Sequence, residues 1–141
     1  MKKINGFTMI ELLVAATILA LLTMISVVSF QQANVRARDG KRKADLEQTR
    51  AALELYRSGS AASYPSGSIF SYMIGTLKQS SYISDPVPVD PKNDSTYYYQ
   101  YNSASGATYC MCATLEGGSG NKAAADCNGA DGTAFYCLSN P

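Results

Sequence analysis

The stretch FTMIELLVAATILALLTMISVVSF, residues 7–30, decides the fold of this 141-residue chain. It holds a single charge, Glu11, and neither proline nor glycine. At about 1.5 Å per residue, a helix of this length extends roughly 36 Å, more than the ~30 Å hydrocarbon core of a bilayer. Its leucine, isoleucine, alanine and methionine residues favour helix. We therefore expect residues 7–30 to form a helix that can span a membrane.

A cleavable secretory signal peptide is the main alternative for this segment, since Lys2 and Lys3 make its N-terminus basic. The apolar stretch is, however, longer than the ~7–15 residues of such signals, and Val27-Val28-Ser29 is a poor cleavage site. A plain signal-anchor helix is the second alternative. Neither explains Glu11, because a carboxylate inside a membrane span costs several kcal/mol unless it finds a partner.

The N-terminal residues KKINGFTMIEL, residues 2–12, resemble the class III signal of type IV pilins and type II secretion pseudopilins. The shared pattern is a short basic leader and a glycine, followed by Phe-Thr-x-x-Glu-Leu at the head of an apolar helix. The resemblance implies that a prepilin peptidase removes residues 1–6 by cutting after Gly6 and then methylates Phe7. It also implies that Glu11 directs assembly, by pairing with the terminal amine of a neighbouring subunit.

Beyond Phe30 the apolar pattern continues as an amphipathic helix over residues 31–57, with Val35, Leu46 and Leu53 near one face. The basic cluster Arg36–Lys43 has two interpretations. It forms a collar that faces solvent or lipid headgroups, or it pairs with acidic groups on adjacent subunits.

The remainder of the chain predicts a loop followed by a sheet. Small residues end the helix after position 57, and Pro86, Pro88 and Pro91 keep the backbone extended, so residues 58–96 are expected to be a helix-to-sheet loop. Alternating segments at 97–102, 107–115 and 133–138 predict strands. The expected fold class is α+β: a long N-terminal helical spine, half transmembrane and half amphipathic, with a small antiparallel sheet over residues 97–141. The resemblance implies the same pilin fold.

All four cysteines lie in the last third of the chain, where an extracytoplasmic domain would form disulfides: Cys110, Cys112, Cys127 and Cys137. Cys110 and Cys112 share a strand face and cannot easily bond each other. Antiparallel pairing of the last two strands favours the nested bonds Cys110–Cys137 and Cys112–Cys127, and the crossed pairing stays open. A four-cysteine zinc site is the rival, but the C-x-C-x14-C-x9-C spacing lacks paired C-x2-C knuckles.

The glycine-rich loop over residues 116–132 contains a candidate calcium site formed by Asp126, Asn128 and Asp131. Calcium is implied by the resemblance, since major pseudopilins bind it near this end. The run departs from the EF-hand pattern, with Ala130 at the fifth place and Asp131 where glycine belongs. No other cofactor is expected.

Composition excludes several classes of function. The chain has no histidine, and therefore lacks the usual general base and a common metal ligand. No nucleophile–base pair, phosphate-binding loop or paired-carboxylate motif is recognisable, so we expect no enzyme. Residues 59–141 carry three basic and six acidic side chains, which disfavours nucleic-acid binding by the tyrosine-rich sheet.

The leading expectation is a structural subunit of a type IV pilus-like or type II secretion pseudopilus-like filament. Its implied partners are further copies of itself, the prepilin peptidase, the inner-membrane assembly platform and other minor pilins or pseudopilins. It is expected in the inner membrane as a single-pass precursor with its C-terminal domain outside, and then in a surface or periplasmic filament. The alternative is a minor tip pilin, or a membrane-anchored module that binds a ligand through its C-terminal domain.

Overall fold

The computed structural model describes residues 6–117, 120–121 and 135–140. It confirms the α+β class, with a long N-terminal helix and a three-stranded antiparallel sheet. The chain divides into two compact units, Met1–Asn34 and Val35–Pro141, which we call the N-terminal unit and the head unit.

Helix α1 is continuous from Met9 to Tyr56, as expected for a run without an internal proline. In the N-terminal unit its large apolar side chains are exposed; Leu13 and Leu21, for example, keep 63% and 65% of their surface accessible. The most apolar part of α1 has a mean hydropathy of 2.5, enough by length and composition to cross a membrane. The serine and threonine hydroxyls in this part donate to carbonyls of the preceding turn, which satisfies them inside the helix.

In the head unit one face of α1 is buried through Leu46, Thr49 and Leu53, as its amphipathic pattern predicts. A π-helical turn, Arg57–Ala61, ends the helix at the small residues that follow. The second helix, α2, spans Phe70–Gln79 and buries Phe70, Met73, Ile74 and Leu77 in the same core.

The sheet has three strands in the order β1-β2-β3, with β1 at Tyr99–Asn102, β2 at Cys110–Thr114 and β3 at Phe135–Ser139. Tyr109, Met111 and Ala113 lie in the core, whereas Cys110 and Cys112 pack with Phe135 and Cys137 in a separate cluster. The predicted alternation of faces along the second strand is confirmed. Strands β1 and β2 are shorter than the segments that predicted them, 97–102 and 107–115.

The register of β2 and β3 corrects the disulfide prediction. Cys112 lies directly opposite Cys137, with their Cα atoms 4.1 Å apart, and these two residues form a disulfide. Cys110 lies opposite Ser139 instead, so the favoured nested bonds, Cys110–Cys137 and Cys112–Cys127, are wrong. Cys110 is itself disulfide-bonded. The observed bond belongs to the crossed pairing that the sequence left open.

The two edges of the sheet differ. At the β3 edge, the side-chain amide of Asn121 accepts a hydrogen bond from the Cys137 N–H at 2.9 Å and donates one to the Cys137 carbonyl at 2.8 Å. A single side chain thus takes the place of a neighbouring strand at the middle of β3. At the β1 edge, Ser103 forms an isolated antiparallel bridge with Gly67.

Candidate functional site

The N-terminal motif forms a capping box at the start of α1. The backbone N–H and the hydroxyl of Thr8 both donate to Oε2 of Glu11 at 2.9 Å, and the Glu11 N–H donates back to the Thr8 hydroxyl at 3.4 Å. This exchange satisfies donors that a helix N-terminus otherwise leaves unpaired. Within the described ranges, Oε1 of Glu11 accepts no hydrogen bond. One carboxylate oxygen therefore orders the helix start, and the other is available to a further donor.

The two residues predicted to be processed precede this cap. Gly6 and Phe7 lie outside regular structure, and Phe7 keeps 82% of its surface exposed. An exposed, non-helical backbone is what a peptidase needs at its cleavage site. The geometry thus supports Gly6 and Phe7 as processing residues, and their roles stay predictions.

A second candidate site lies in the head unit, where five charged residues surround one buried arginine. We call it the Arg42 cluster. It joins helix α1, the loop before β1 and the segment after β2, and it consists of Arg38, Asp39, Arg42, Asp90, Lys92 and Glu116. Its three cations and three carboxylates balance each other.

Arg42 is fully buried and uses its guanidinium in a fork. Its Nε and Nη2 donate to the two carboxylate oxygens of Asp90 at 2.7 and 3.0 Å. Its Nη1 donates at 2.8 Å to both Asp39 and Glu116. Such bidentate, charge-assisted contacts are the geometry that compensates a buried guanidinium.

The surrounding donors complete the cluster. Arg38 donates two hydrogen bonds of 2.7 Å to Glu116, and Lys92 lies 2.8 Å from the same carboxylate. Asp39 accepts from the backbone N–H groups of Glu116 and Gly117. The side chains on α1 therefore hold the Glu116 carboxylate, two residues beyond β2, and the backbone N–H groups of Glu116 and Gly117.

The hydrogen bonds of the cluster favour the charged forms of Glu116, Asp90 and Arg42. The bond from Arg38 does most to hold the pKa of the Glu116 carboxyl well below its ordinary value, with Lys92 adding to it. Burial alone would raise the pKa of Asp90, but the bond from Arg42 and two backbone N–H groups outweigh it and lower that pKa. Burial likewise acts to lower the pKa of Arg42, and its three carboxylate partners reverse the direction.

This cluster changes the interpretation of two residues of the basic segment Arg36–Lys43, Arg38 and Arg42. Arg42 is buried and Arg38 is partly exposed, and both are paired with carboxylates of the same chain. Lys41 pairs with Asp45, and Lys43 lies over the ring of Tyr136. Of the basic residues in the segment only Arg36 is described as exposed without a charge partner.

The tyrosines anchor the sheet to α1. The hydroxyls of Tyr64 and Tyr109 donate to Glu54, and that of Tyr99 donates to Asp45 at 2.7 Å. Burial raises the pKa of Tyr101 to about 12, and its hydroxyl donates to the Pro65 carbonyl. These rings are core residues whose hydroxyls are hydrogen-bonded, as expected of buried tyrosine.

The calcium candidates Asp126, Asn128 and Asp131, as well as Cys127, lie outside the described residues, and calcium binding there stays a prediction. In the part of the chain that the structure describes, no group of cysteine, aspartate and glutamate side chains is arranged to hold a metal ion.

Comparison with known proteins gives one match. The family model of the prokaryotic N-terminal methylation motif matches residues 1–27. No curated protein and no solved structure matches the chain significantly. The chain therefore carries the class III prepilin signal of type IV pilin-like proteins, and this signal supports a pilin or pseudopilin precursor.

Proposed function

We propose that this chain is a structural subunit of a type IV pilus-like or type II secretion pseudopilus-like filament, assembled through its N-terminal helix. The observation that carries the proposal is the capping box at the head of an exposed apolar helix, inside the matched methylation motif. A helix that is apolar all round is stable only in a membrane or against other helices. Packing against copies of itself supplies the second environment.

The proposed assembly step begins with cleavage after Gly6, which leaves a free α-amine on Phe7. A terminal amine is largely cationic near neutral pH. Glu11 of one subunit then accepts the amine of its neighbour through Oε1, while Oε2 keeps its bonds to Thr8. A buried ion pair of this kind fixes the axial register of packed helices, which is the best-attested role for such pairs.

The proposed localisation follows from the same helix. The precursor inserts in the inner membrane with the head unit outside, where the Cys112–Cys137 disulfide is favoured. The proposed partners are further copies of this chain, the prepilin peptidase, the assembly platform and other minor pilins or pseudopilins. The role is structural, and no catalytic step is assigned.

The mass of the mature N-terminus tests the proposal. Co-expression with a prepilin peptidase should yield a chain that starts at Phe7 and carries one methyl group, and a Gly6→Val variant should stay uncut. An intact N-terminus in the presence of active peptidase would instead favour the membrane-anchored binding module. Electron microscopy of the cell surface then distinguishes a surface pilus from a periplasmic pseudopilus.

A further inference from the structure

The head unit contains an open groove along the free edge of β1. Its volume is about 680 Å³, and it is bounded by α2 on one side, residues 87–90 on another and strand β1 on the third. This volume lies within the ~300–1,000 Å³ range of ligand sites and is too small for a folded domain. The groove is therefore suited to a small molecule or to a short extended segment of polypeptide.

Backbone groups of β1 point into this groove. Ser103 donates its N–H to the Gly67 carbonyl and accepts from the Gly67 N–H, so its backbone faces away from β2. Because the direction alternates along a strand, the N–H and C=O groups of Tyr99 and Tyr101 face the same way. Among the described residues these four groups have no backbone partner. The β1 edge is therefore paired at Ser103, by the bridge to Gly67, and among the described residues it is not paired along the groove at Tyr99 and Tyr101.

The walls of the groove are more apolar than polar, and their two charged residues are ion-paired. Ile69, Val89 and Tyr98 keep 61%, 46% and 45% of their surface exposed. The two charged residues in the lining are Lys78, which bonds Asp85 at 2.9 Å, and Asp90, which is held by Arg42. A charged ligand would meet no uncommitted counter-charge here, so the complementary occupant is uncharged.

We propose that this groove binds an extended, uncharged segment of a partner protein, which adds to the sheet as a strand beside β1. Backbone hydrogen bonds to Tyr99 and Tyr101 supply affinity, and the apolar walls select alternate side chains of the segment. The proposal does not depend on filament assembly, because it uses the head unit alone.

A second copy of this chain is the weaker occupant. The three described strands are all engaged in the chain's own sheet, and Asn121 occupies the middle of the β3 edge. A copy would therefore have to present its own β1 edge, beside which its own α2 lies.

The test uses the full-length chain in detergent micelles and a fluorescein-labelled, end-blocked short peptide of alternating valine and threonine. Fluorescence anisotropy should show saturable binding. The control is the same peptide with N-methyl groups on alternate residues. It keeps its side chains and loses the backbone N–H donors along the edge that would face β1. Losing about two hydrogen bonds should weaken binding at least tenfold. Equal binding of the two peptides would overturn the proposal.

Variants at Gly75 locate the binding. Gly75 lines the groove, and a Cβ added there meets no atom within 4 Å, so the backbone tolerates a side chain. Gly75→Trp should fill the groove and weaken binding by about tenfold or more, whereas the matched Gly75→Ala and the off-groove Tyr72→Ser should change it less than about twofold. Unchanged binding by a folded Gly75→Trp would refute the proposal. Self-association that Gly75→Trp abolishes would refute it too, because it assigns the groove to a second copy.

Discussion

Replacing the buried arginine of the Arg42 cluster with methionine should destabilise the head unit strongly. Arg42→Met keeps much of the aliphatic stem and removes all four hydrogen bonds that the guanidinium donates. Glu116 keeps Arg38 and Lys92, and Asp39 keeps two backbone N–H donors. Among the described residues, Asp39 and Asp90 both lose their one ion-pair partner, and Asp90, whose side chain is 0% exposed, keeps only the backbone N–H groups of Lys92 and Asn93.

The expected magnitude is that of one broken buried ion pair, about 3–5 kcal/mol of unfolding free energy, rather than the sum over four bonds. The head unit spans residues 35–141, which is 107 residues. With an unfolding entropy of roughly 2.1 cal/mol/K per residue, that loss lowers the thermal midpoint by roughly 13–22 °C.

Near-ultraviolet circular dichroism of the tyrosines, recorded on the full chain in detergent, reports unfolding of the head unit without interference from the apolar helix. The matched control is Lys41→Met, one residue earlier on α1. Lys41 is 54% exposed and pairs with Asp45 at 3.2 Å, so its loss should cost no more than about 1 kcal/mol, or roughly 5 °C. A midpoint for Arg42→Met as high as that of Lys41→Met would refute the reasoning.

The low pKa values in the Arg42 cluster, the Cys112–Cys137 disulfide and the Glu11 carboxylate can each be tested by one perturbation. The pKa values of Asp90 and Glu116 are lower in the folded chain than in the unfolded chain, so the unfolded carboxyls take up protons first as the pH falls. The thermal midpoint should therefore stay constant from pH 7 to about pH 5 and decrease at pH values below about 4. A midpoint that is unchanged at about pH 3 would contradict this. Replacing Cys112 and Cys137 by serine removes a disulfide between residues 25 apart and should lower the unfolding free energy by about 3–4 kcal/mol. Peptide mapping that links Cys137 to any other cysteine would refute the pairing. Glu11→Gln keeps an acceptor for Thr8 and loses the negative charge. The variant should therefore insert in the membrane normally but assemble far fewer filaments. A wild-type filament yield would contradict the proposed ion pair.

The parts of the fold that follow from local pattern could be predicted from sequence. The uninterrupted run after Glu11 predicts a helix because nothing in it opposes one, and helix α1 indeed continues to Tyr56. Alternation along β2 places Met111 in the core and Cys112 on the other face, since successive strand side chains point to opposite sides. Both inferences need only neighbouring residues.

The disulfide and the Arg42 cluster depend on contacts between distant residues. In the observed register Ser139 lies opposite Cys110. A shift of β3 by two residues along β2 would place Cys137 there instead, and every side chain would stay on the same face of the sheet. The alternation of side chains therefore cannot distinguish the two registers. Arg42 and Asp90 are 48 residues apart, and Arg38 and Glu116 are 78 apart. Periodicity within a helix carries no information about such partners. The sequence of a basic segment therefore does not show that distant carboxylates, here Asp90 and Glu116, pair with it in the fold.

The amide of Asn121 has a consequence for how many partners the sheet can accept. It holds both backbone groups of Cys137, so a strand that approaches β3 must first displace it. A subunit can then accept a strand at its β1 edge but not at its β3 edge. Edge-to-edge pairing of sheets therefore cannot continue from one copy to the next. The stoichiometry of such recruitment is therefore limited to one strand per subunit, and fibrillar aggregation by sheet extension is suppressed. Asn121→Ala should remove this limit, and seeded growth of β-rich fibres from that variant would show it.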